Sequence, residues 1–152
     1  MDFRLDPLAQ IQDAPPQRAR GEIRAAFARA GARTEAARVF ETGGLRLRFP
    51  RAGAECEAVI VNTGGGILGG DRAWIELAAT SGARVIATTQ AAEKIYRSGG
   101  APAEVGVRLR VEPDARLVWA PQETILFEGS NFARKLEADV APAFSIRTAS
   151  AI

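Results

Sequence analysis

Histidine is absent from this 152-residue chain, and cysteine occurs once, at Cys56. Histidine is the commonest general base, the usual partner of a serine or cysteine nucleophile and the commonest transition-metal ligand. Its absence excludes most hydrolase mechanisms. A single cysteine can form neither an internal disulfide nor a cysteine-rich zinc site. Any metal ion that binds here must therefore be coordinated mainly by carboxylates.

The chain is also poor in lysine, in net charge and in long apolar runs. Lys94 and Lys135 are the only lysines, and 20 basic residues against 18 acidic ones leave a net charge of +2, with both signs interspersed. This pattern lacks the electrostatic footprint of a nucleic-acid-binding protein. No apolar run approaches the roughly 20 residues that span a bilayer, and the N-terminus lacks the organisation of a signal peptide. We therefore expect a cytoplasmic protein without a nucleic-acid or membrane partner.

The composition fits one globular domain, because 47% of the residues are hydrophobic and 25% are charged. Residues 1–20, which include the Pro15-Pro16 pair, are expected to form a poorly ordered N-terminal segment. Residues 21–152 are then the folded domain. Residues 21–40 are ambiguous, since their apolar positions fit both the helical and the strand period.

Beyond Thr42 apolar and polar residues alternate with a period of two, which is typical of strands with one buried face. The alternating or β-branched runs are 45–49, 55–62, 105–111 and 132–140. In the last run Phe132, Arg134 and Leu136 share one face, and the first run is expected to be entered through a hairpin turn at Gly43-Gly44. The pattern predicts a mainly β fold of stacked antiparallel strands or hairpins in layers, with few or no helices.

The sequence contains an internal repeat. Ile75, Leu77 and a turn at Ser81-Gly82 match Val107, Leu109 and a turn 32 residues later. Each unit is predicted to contain a strand, a tight turn and a return strand. Two such units indicate stacked hairpins that bury a shared face, as in layered β architectures and solenoids.

The most distinctive stretch is the glycine-rich loop at 62–71 (NTGGGILGGD). Gly64, Gly66 and Gly69 match the G-x-G-x-x-G pattern of dinucleotide-binding proteins. That motif requires a helix after the loop, whereas the repeat predicts a strand there. We therefore interpret the segment from Gly64 to Gly70 as a wide turn with positive φ at several positions, and we expect no dinucleotide binding.

Two further clusters are 88–98 (TTQAAEKIYRS) and 121–128 (PQETILFE). The first contains Lys94 and Tyr96, for which an interaction surface is favoured over proton transfer, because a lysine is normally a solvated cation. The second lies at the corresponding place in the second repeat. Its simplest interpretation is a buried strand with polar ends.

These three stretches, 62–71, 88–98 and 121–127, resemble the UreD (UreH) family of urease accessory proteins in order and approximate spacing. Residues 43–50 resemble an upstream element of the same family, with Gly44 in place of a proline. The resemblance extends from about residue 21 to residue 146. Three long motifs in order are far more specific than one glycine pattern.

The resemblance implies a mainly β accessory protein that is not an enzyme. It would bind urease apoprotein and, with UreF and the GTPase UreG, help to insert nickel into the urease active site. It also implies that residues 22–40 form a hairpin turning near Gly31-Ala32. Two departures are a glutamate at Glu93, where the family usually has threonine, and a missing C-terminal portion, so the domain is expected to be truncated.

We therefore expect a metallocentre-assembly scaffold, and the alternatives are a nucleotide-binding enzyme that uses the Gly64 to Gly70 loop and a purely structural β module. No tightly bound cofactor is expected, and nickel is expected at most in transit. The residues predicted to bind partner proteins are Gln90, Lys94, Tyr96, Arg97 and Gln122.

We predict that the nickel affinity of this chain is weak and is provided by carboxylates, with Asp71 and Glu123 as the best candidates and Glu93 as a third. Tight nickel sites favour imidazole or thiolate ligands, which are almost absent here. The structural alternatives are an aspartate that caps a turn and a glutamate in an ion pair. Isothermal titration is the measurement. Submicromolar binding that survives Asp71→Ala and Glu123→Ala would contradict the prediction and point to Cys56 or an unforeseen cluster.

Overall fold

The computed structural model describes residues 18–51 and 53–142, and this part of the chain contains eleven strands and no helix. The predicted N-terminal segment therefore lies almost wholly outside the described residues. No helix in 18–51 or 53–142 is long and apolar enough to cross a membrane. The strands are β1 (Arg20–Ala30), β2 (Arg33–Thr42), β3 (Leu45–Arg48), β4 (Cys56–Asn62), β5 (Arg72–Ala79), β6 (Arg84–Thr89), β7 (Glu93–Ile95), β8 (Ala103–Val111), β9 (Arg116–Trp119), β10 (Thr124–Leu126) and β11 (Phe132–Val140).

The strands form three sheets around one apolar interior. Sheet I has the order β11-β8-β5-β1-β2, sheet II the order β3-β4-β6-β9, and sheet III contains β7 and β10. From β5 onward the chain passes from sheet I to sheet II to sheet III and then returns to sheet I. Each such circuit is one coil, and the second coil, β8-β9-β10, stacks on the first, β5-β6-β7. This arrangement is a short β-solenoid.

Successive coils are joined by parallel pairing in register. Ile75 pairs with Val107 and Val85 pairs with Leu117, so equivalent positions of the 32-residue repeat lie side by side. In sheet III Lys94 pairs with Ile125 in the same direction. The repeat found in the sequence therefore corresponds to the structural coil.

The mainly β prediction is confirmed, but the expected antiparallel hairpin stacking is wrong for most of the fold. Among the eleven strands of the described residues, six pairs are parallel, and only β1-β2 and β3-β4 are antiparallel. The two strands of a repeat unit do not pair with each other, because the turn at Gly82 directs the chain from sheet I into sheet II. Alternation of apolar and polar residues shows which face of a strand is buried. A strand with one solvated face has this alternation whether its neighbours are parallel or antiparallel, so the pattern does not reveal the pairing direction.

The N-terminal hairpin is confirmed. Ala30 pairs with Arg33 across a turn at Gly31-Ala32. The hairpin expected at Gly43-Gly44 is not formed, because β2 belongs to sheet I whereas β3 belongs to sheet II and pairs with β4. That turn is a corner between two sheets.

The core lies between the sheets and contains the inward positions of every coil. Its largest fully buried side chains are Phe27, Ile23, Leu77, Ile95, Val85 and Val107. Leu109 is also inward and only 6% exposed, as the alternation predicted. On β11 the same alternation buries less, and Leu136 is 42% exposed, because β11 is the edge strand of sheet I.

We predict that Leu109→Asp abolishes cooperative unfolding of this chain. The substitution places an unpaired carboxylate among apolar side chains, and such a burial costs several kcal/mol, comparable to the whole stability of a small domain. Thermal unfolding followed by circular dichroism is the measurement. Ala133→Asp, at an exposed position of β11, is the matched control and should leave the transition nearly unchanged. A normal transition in Leu109→Asp would contradict the assignment of this face to the core.

Candidate functional site

The three motifs recognised in the sequence lie side by side on sheet III. Ile67 in the glycine-rich loop donates its N–H to the carbonyl of Lys94 at 2.8 Å and accepts the N–H of Tyr96 at 2.9 Å. On the other side of β7, Glu93 donates its N–H to the carbonyl of Glu123 at 2.9 Å. Segments that are separated by about thirty residues in the sequence therefore form one continuous surface, which we call the motif face (residues 64–68, 90–97 and 122–127).

The glycine-rich loop is a turn and leads into a strand, because β5 begins at Arg72 directly after it. The helix N-terminus that a dinucleotide pyrophosphate requires is therefore not formed by this loop. Gly65, Gly66 and Gly70 have positive φ, as the sequence predicted. At Gly66 a Cβ atom would lie 2.3 Å from Cε2 of Tyr96. A larger residue there would displace the tyrosine ring from the motif face.

Asp71 closes the loop and is 7% exposed. Its Oδ1 accepts the N–H of Ala19 at 2.7 Å, and its Oδ2 accepts the N–H of Leu68 at 2.9 Å. Both carboxylate oxygens therefore fix the backbone at the entrance to β5. This is the turn-capping role that was the structural alternative to metal binding.

The three carboxylates predicted to bind nickel are not collected into one site. Within residues 18–51 and 53–142, no three histidine, cysteine, aspartate or glutamate side chains are grouped so that they could hold a metal ion. Asp71 is buried, Glu123 is exposed and Glu93 is half-buried. Glu93 and Glu123 are joined through the backbone of adjacent strands, whereas Asp71 caps the loop.

Glu93 borders a small internal cavity of about 40 Å³ that lies behind the motif face. Its Oε1 accepts a hydrogen bond from Nδ2 of Asn62 at 3.1 Å. Burial raises the pKa of the Glu93 carboxyl, while the Asn62 hydrogen bond and the positive charge of Arg134 act in the opposite direction. The cavity wall combines apolar side chains with four polar or charged ones, from Thr89, Glu93, Gln122 and Arg134. The cavity therefore places polar groups within an otherwise apolar interior.

Four of the five residues predicted to bind partners are exposed on the motif face: Gln90, Lys94, Arg97 and Gln122. The fifth, Tyr96, is half-buried and stacks on Phe127, with 5.1 Å between the ring centroids and 23° between the ring planes. The structure places all five together, and it does not show what they bind.

The expected buried strand at 121–128 is wrong. Ile125 is 40% exposed, Leu126 61% and Phe127 45%. These residues form an apolar strip on the motif face, because sheet III contains only β7 and β10 within the described ranges 18–51 and 53–142, which leaves β10 at its edge. A contiguous exposed apolar surface is typical of a binding site.

Comparison with known proteins places these motifs within one protein family. The sequence model of the family described as UreD urease accessory protein matches residues 19–147. The chain belongs to the UreD urease accessory protein family. A UreD protein of Beijerinckia indica is 45% identical over 124 residues, which cover 82% of this chain and 46% of that protein.

Two other UreD proteins match a shorter region. The one from Rhodopseudomonas palustris strain BisB18 is 48% identical over 85 residues, which cover 56% of this chain and 31% of the relative. The one from Chelativorans sp. strain BNC1 is 52% identical over 79 residues, which cover 52% and 28% respectively. The chain thus spans less than half of the length of these UreD relatives.

Sequence reasoning missed two residues of this UreD site. Asn62 lies inside a recognised motif but was not assigned a role, and it joins the loop to Glu93. Arg134 donates from Nη1 to Oγ1 of Thr124 at 3.0 Å and borders the cavity. A signal for Arg134 was present, since this arginine occupies an apolar position in the alternation of 132–140.

We predict that Glu93→Gln stabilises this chain at neutral and alkaline pH. A raised carboxyl pKa means that the folded state binds the proton more tightly than the unfolded state does. The ionised carboxylate therefore lowers the free energy of unfolding as pH rises from the usual glutamate pKa of about 4.3 through the raised value. Glutamine keeps an acceptor for Asn62 but cannot ionise.

The measurement is urea unfolding of wild type and variant between acidic and alkaline pH. The variant should become more stable than wild type as pH rises, and the two curves should converge at low pH. Glu123→Gln is the matched control, because that side chain is exposed, and it should not change this dependence. A Glu93→Gln variant that is less stable than wild type at pH 8 would contradict the predicted stabilisation.

Proposed function

We propose that this chain is a non-catalytic cytoplasmic scaffold in urease maturation, which binds urease apoprotein and the accessory proteins UreF and UreG during nickel insertion. Membership of the UreD family supports the accessory role. The single observation on which the proposal rests is the assembly of three separate motifs into one exposed surface. Buried motifs would be explained by packing alone, whereas this surface leaves apolar side chains in water.

The motif face has the composition of a protein interface. Interfaces combine an apolar or aromatic centre with a polar rim, and aromatic and arginine side chains account for much of their binding energy. Here the stacked rings of Tyr96 and Phe127 lie beside the exposed Leu126. Lys94 and Arg97 supply polar contacts nearby. We infer that a partner protein covers the strip.

Both alternative functions are less favoured. A nucleotide-binding enzyme would require a helix after the glycine-rich loop, and β5 occupies that place. A purely structural β module has no need of exposed Ile125, Leu126 and Phe127. No nucleic-acid or membrane partner is proposed.

We also propose that nickel, as cargo, passes the cavity behind the motif face without remaining there. The Glu93 carboxylate, the Gln122 amide and the Thr89 hydroxyl border the cavity and offer oxygen donors, and such donors bind nickel less tightly than imidazole or thiolate. The positive charge of Arg134 near Glu93 further weakens cation binding. Weak coordination suits an ion that must be transferred onward.

We predict that Leu126→Asp and Arg97→Ala each weaken association with UreF or urease apoprotein. Loss of a side chain at the centre of an interface typically costs about 2 kcal/mol or more, which is at least tenfold in Kd. The substitutions are made in this chain and at the matching positions of a full-length relative. Binding is measured by surface plasmon resonance, and stability by thermal unfolding.

Leu126 is the most exposed large apolar residue of the strip, so its replacement should not lower the melting temperature. Arg84→Ala, an exposed arginine on sheet II, is the control for Arg97→Ala and should leave binding unchanged. Tyr96→Ala separates packing from binding. If Tyr96 is purely structural, the substitution lowers the melting temperature and leaves the affinity for the partner unchanged. Unchanged affinity in both Leu126→Asp and Arg97→Ala would refute the assignment of the motif face.

A further inference from the structure

A small cavity lies where sheet I passes into sheet II, apart from the motif face. Its volume is about 100 Å³, and it is bordered by the turn of the β1-β2 hairpin, the segment before β4 and the turn at Gly82. That turn follows the end of β5, whereas the glycine-rich loop precedes its start. The length of β5, roughly 25 Å, therefore separates this corner cavity from the loop.

The corner cavity is surrounded by three arginines, Arg29, Arg33 and Arg84. In the parts of the chain that the structure describes, none of the three forms an ion pair. The other residues of the lining are uncharged: Ala32, Thr34, Ala54 and Gly82. Three like charges therefore face one small space that has no counter-charge among its lining residues.

The carboxylates nearest in sequence to the walls of the corner cavity have other positions or partners. Glu55 pairs with Arg116 at 3.6 Å. Oε2 of Glu112 accepts the N–H of Ser81 at 2.9 Å. Glu35, which comes between Thr34 and Ala36 on β2, does not border the cavity. None of these three side chains is thus placed as the partner of the arginines.

The groups that carry the arginines are held in place by hydrogen bonds. Nε of Arg29 donates to the carbonyl of Gly31 at 2.9 Å, a bond that does not use the two terminal amino groups of the guanidinium. The backbone N–H of Arg84 donates to Oγ1 of Thr34 at 2.9 Å, and this hydroxyl, 6% exposed, donates to the carbonyl of Ala54 at 3.2 Å. Groups that are positioned in advance lose less conformational entropy when a ligand binds.

We propose that the corner cavity binds a phosphate-type oxyanion, either as free inorganic phosphate or as the terminal phosphoryl group of a small molecule. Guanidinium groups form charge-assisted, often bidentate hydrogen bonds with phosphate oxygens. A tetrahedral ion presents oxygen atoms in several directions and can meet all three arginines, whereas a carboxylate presents two oxygens in one plane. The bound ion links the hairpin of sheet I to the first residue of β6 in sheet II.

The test is titration of the full chain with inorganic phosphate at constant ionic strength in chloride buffer, followed by isothermal calorimetry and phosphorus NMR. Saturable binding is expected. Arg84→Gln should weaken it about tenfold or more, because it removes a charged hydrogen-bond donor. The side chain of Arg84 is exposed, so the variant should fold normally, and circular dichroism verifies this. The test does not involve UreF or urease apoprotein, so its result is independent of the proposed function.

Two further variants distinguish a built site from general attraction of anions. Arg29→Lys keeps the charge but removes the planar, forked donor, and it should also weaken binding. Arg38→Gln is the matched control, because Arg38 is an exposed arginine of β2 that does not border the corner cavity, and its affinity for phosphate should equal that of wild type.

Thermal unfolding in phosphate and in chloride is the second measurement. A bound ligand stabilises the folded state in proportion to its occupancy, so low phosphate concentrations should raise the melting temperature of wild type more than that of Arg84→Gln. Phosphate also stabilises proteins through exclusion from their surface, but that effect is the same for both.

Competition with O-phosphoserine distinguishes the two sources of the oxyanion. Displacement of phosphate shows that the mouth of the corner cavity admits a phosphoryl group on a larger molecule, and failure to displace it identifies the free ion. Acetate should compete poorly. The proposal is overturned if phosphate shows no saturable binding, if Arg84→Gln and Arg29→Lys both bind it as wild type does, or if acetate binds as tightly as phosphate.

Discussion

The parallel register between successive coils is the constraint on which the rest of this structure depends. Ile75 lies beside Val107 and Val85 beside Leu117, so each inward side chain packs on the equivalent side chain of the next coil. The register fixes the position along the solenoid axis of every turn and loop that joins one sheet to the next. The glycine-rich loop, β7 and β10 can meet on sheet III only because the strands before them are aligned in sheets I and II.

The motif face illustrates how a rigid stack positions a functional surface. The ring of Tyr96 lies against Gly66 and stacks on the ring of Phe127, so the loop and two coils determine its place together. Behind it, Asn62 links the loop to Glu93. A change in any one of these elements would be transmitted to the others through direct contacts.

Sequence reasoning predicted local features well and long-range pairing poorly. The inward positions of β8 and the positive φ values of the loop follow from local alternation and from glycine content. The β1-β2 hairpin was expected from the family resemblance instead, because the apolar pattern of 21–40 fits both the helical and the strand period. The direction of strand pairing does not, because the same alternation of Val105, Val107 and Leu109 fits a parallel or an antiparallel neighbour. Exposure of Ile125 and Leu126 was missed because it depends on how many strands sheet III contains. The Trp74 ring packs across Gly106, 32 residues away on the paired strand β8, and no local pattern reveals that contact.

The edge position of β11 has a consequence for solubility. In the part of the chain that the structure describes, β11 pairs with β8 on one side only, so its other side presents backbone donors and acceptors that could recruit a strand from another molecule. Its nine residues include Arg134, Lys135, Glu137 and Asp139. Such closely spaced charges make addition of a foreign strand unfavourable, since each charged side chain would have to be desolvated or matched. The edge strand thus resists aggregation through its own sequence.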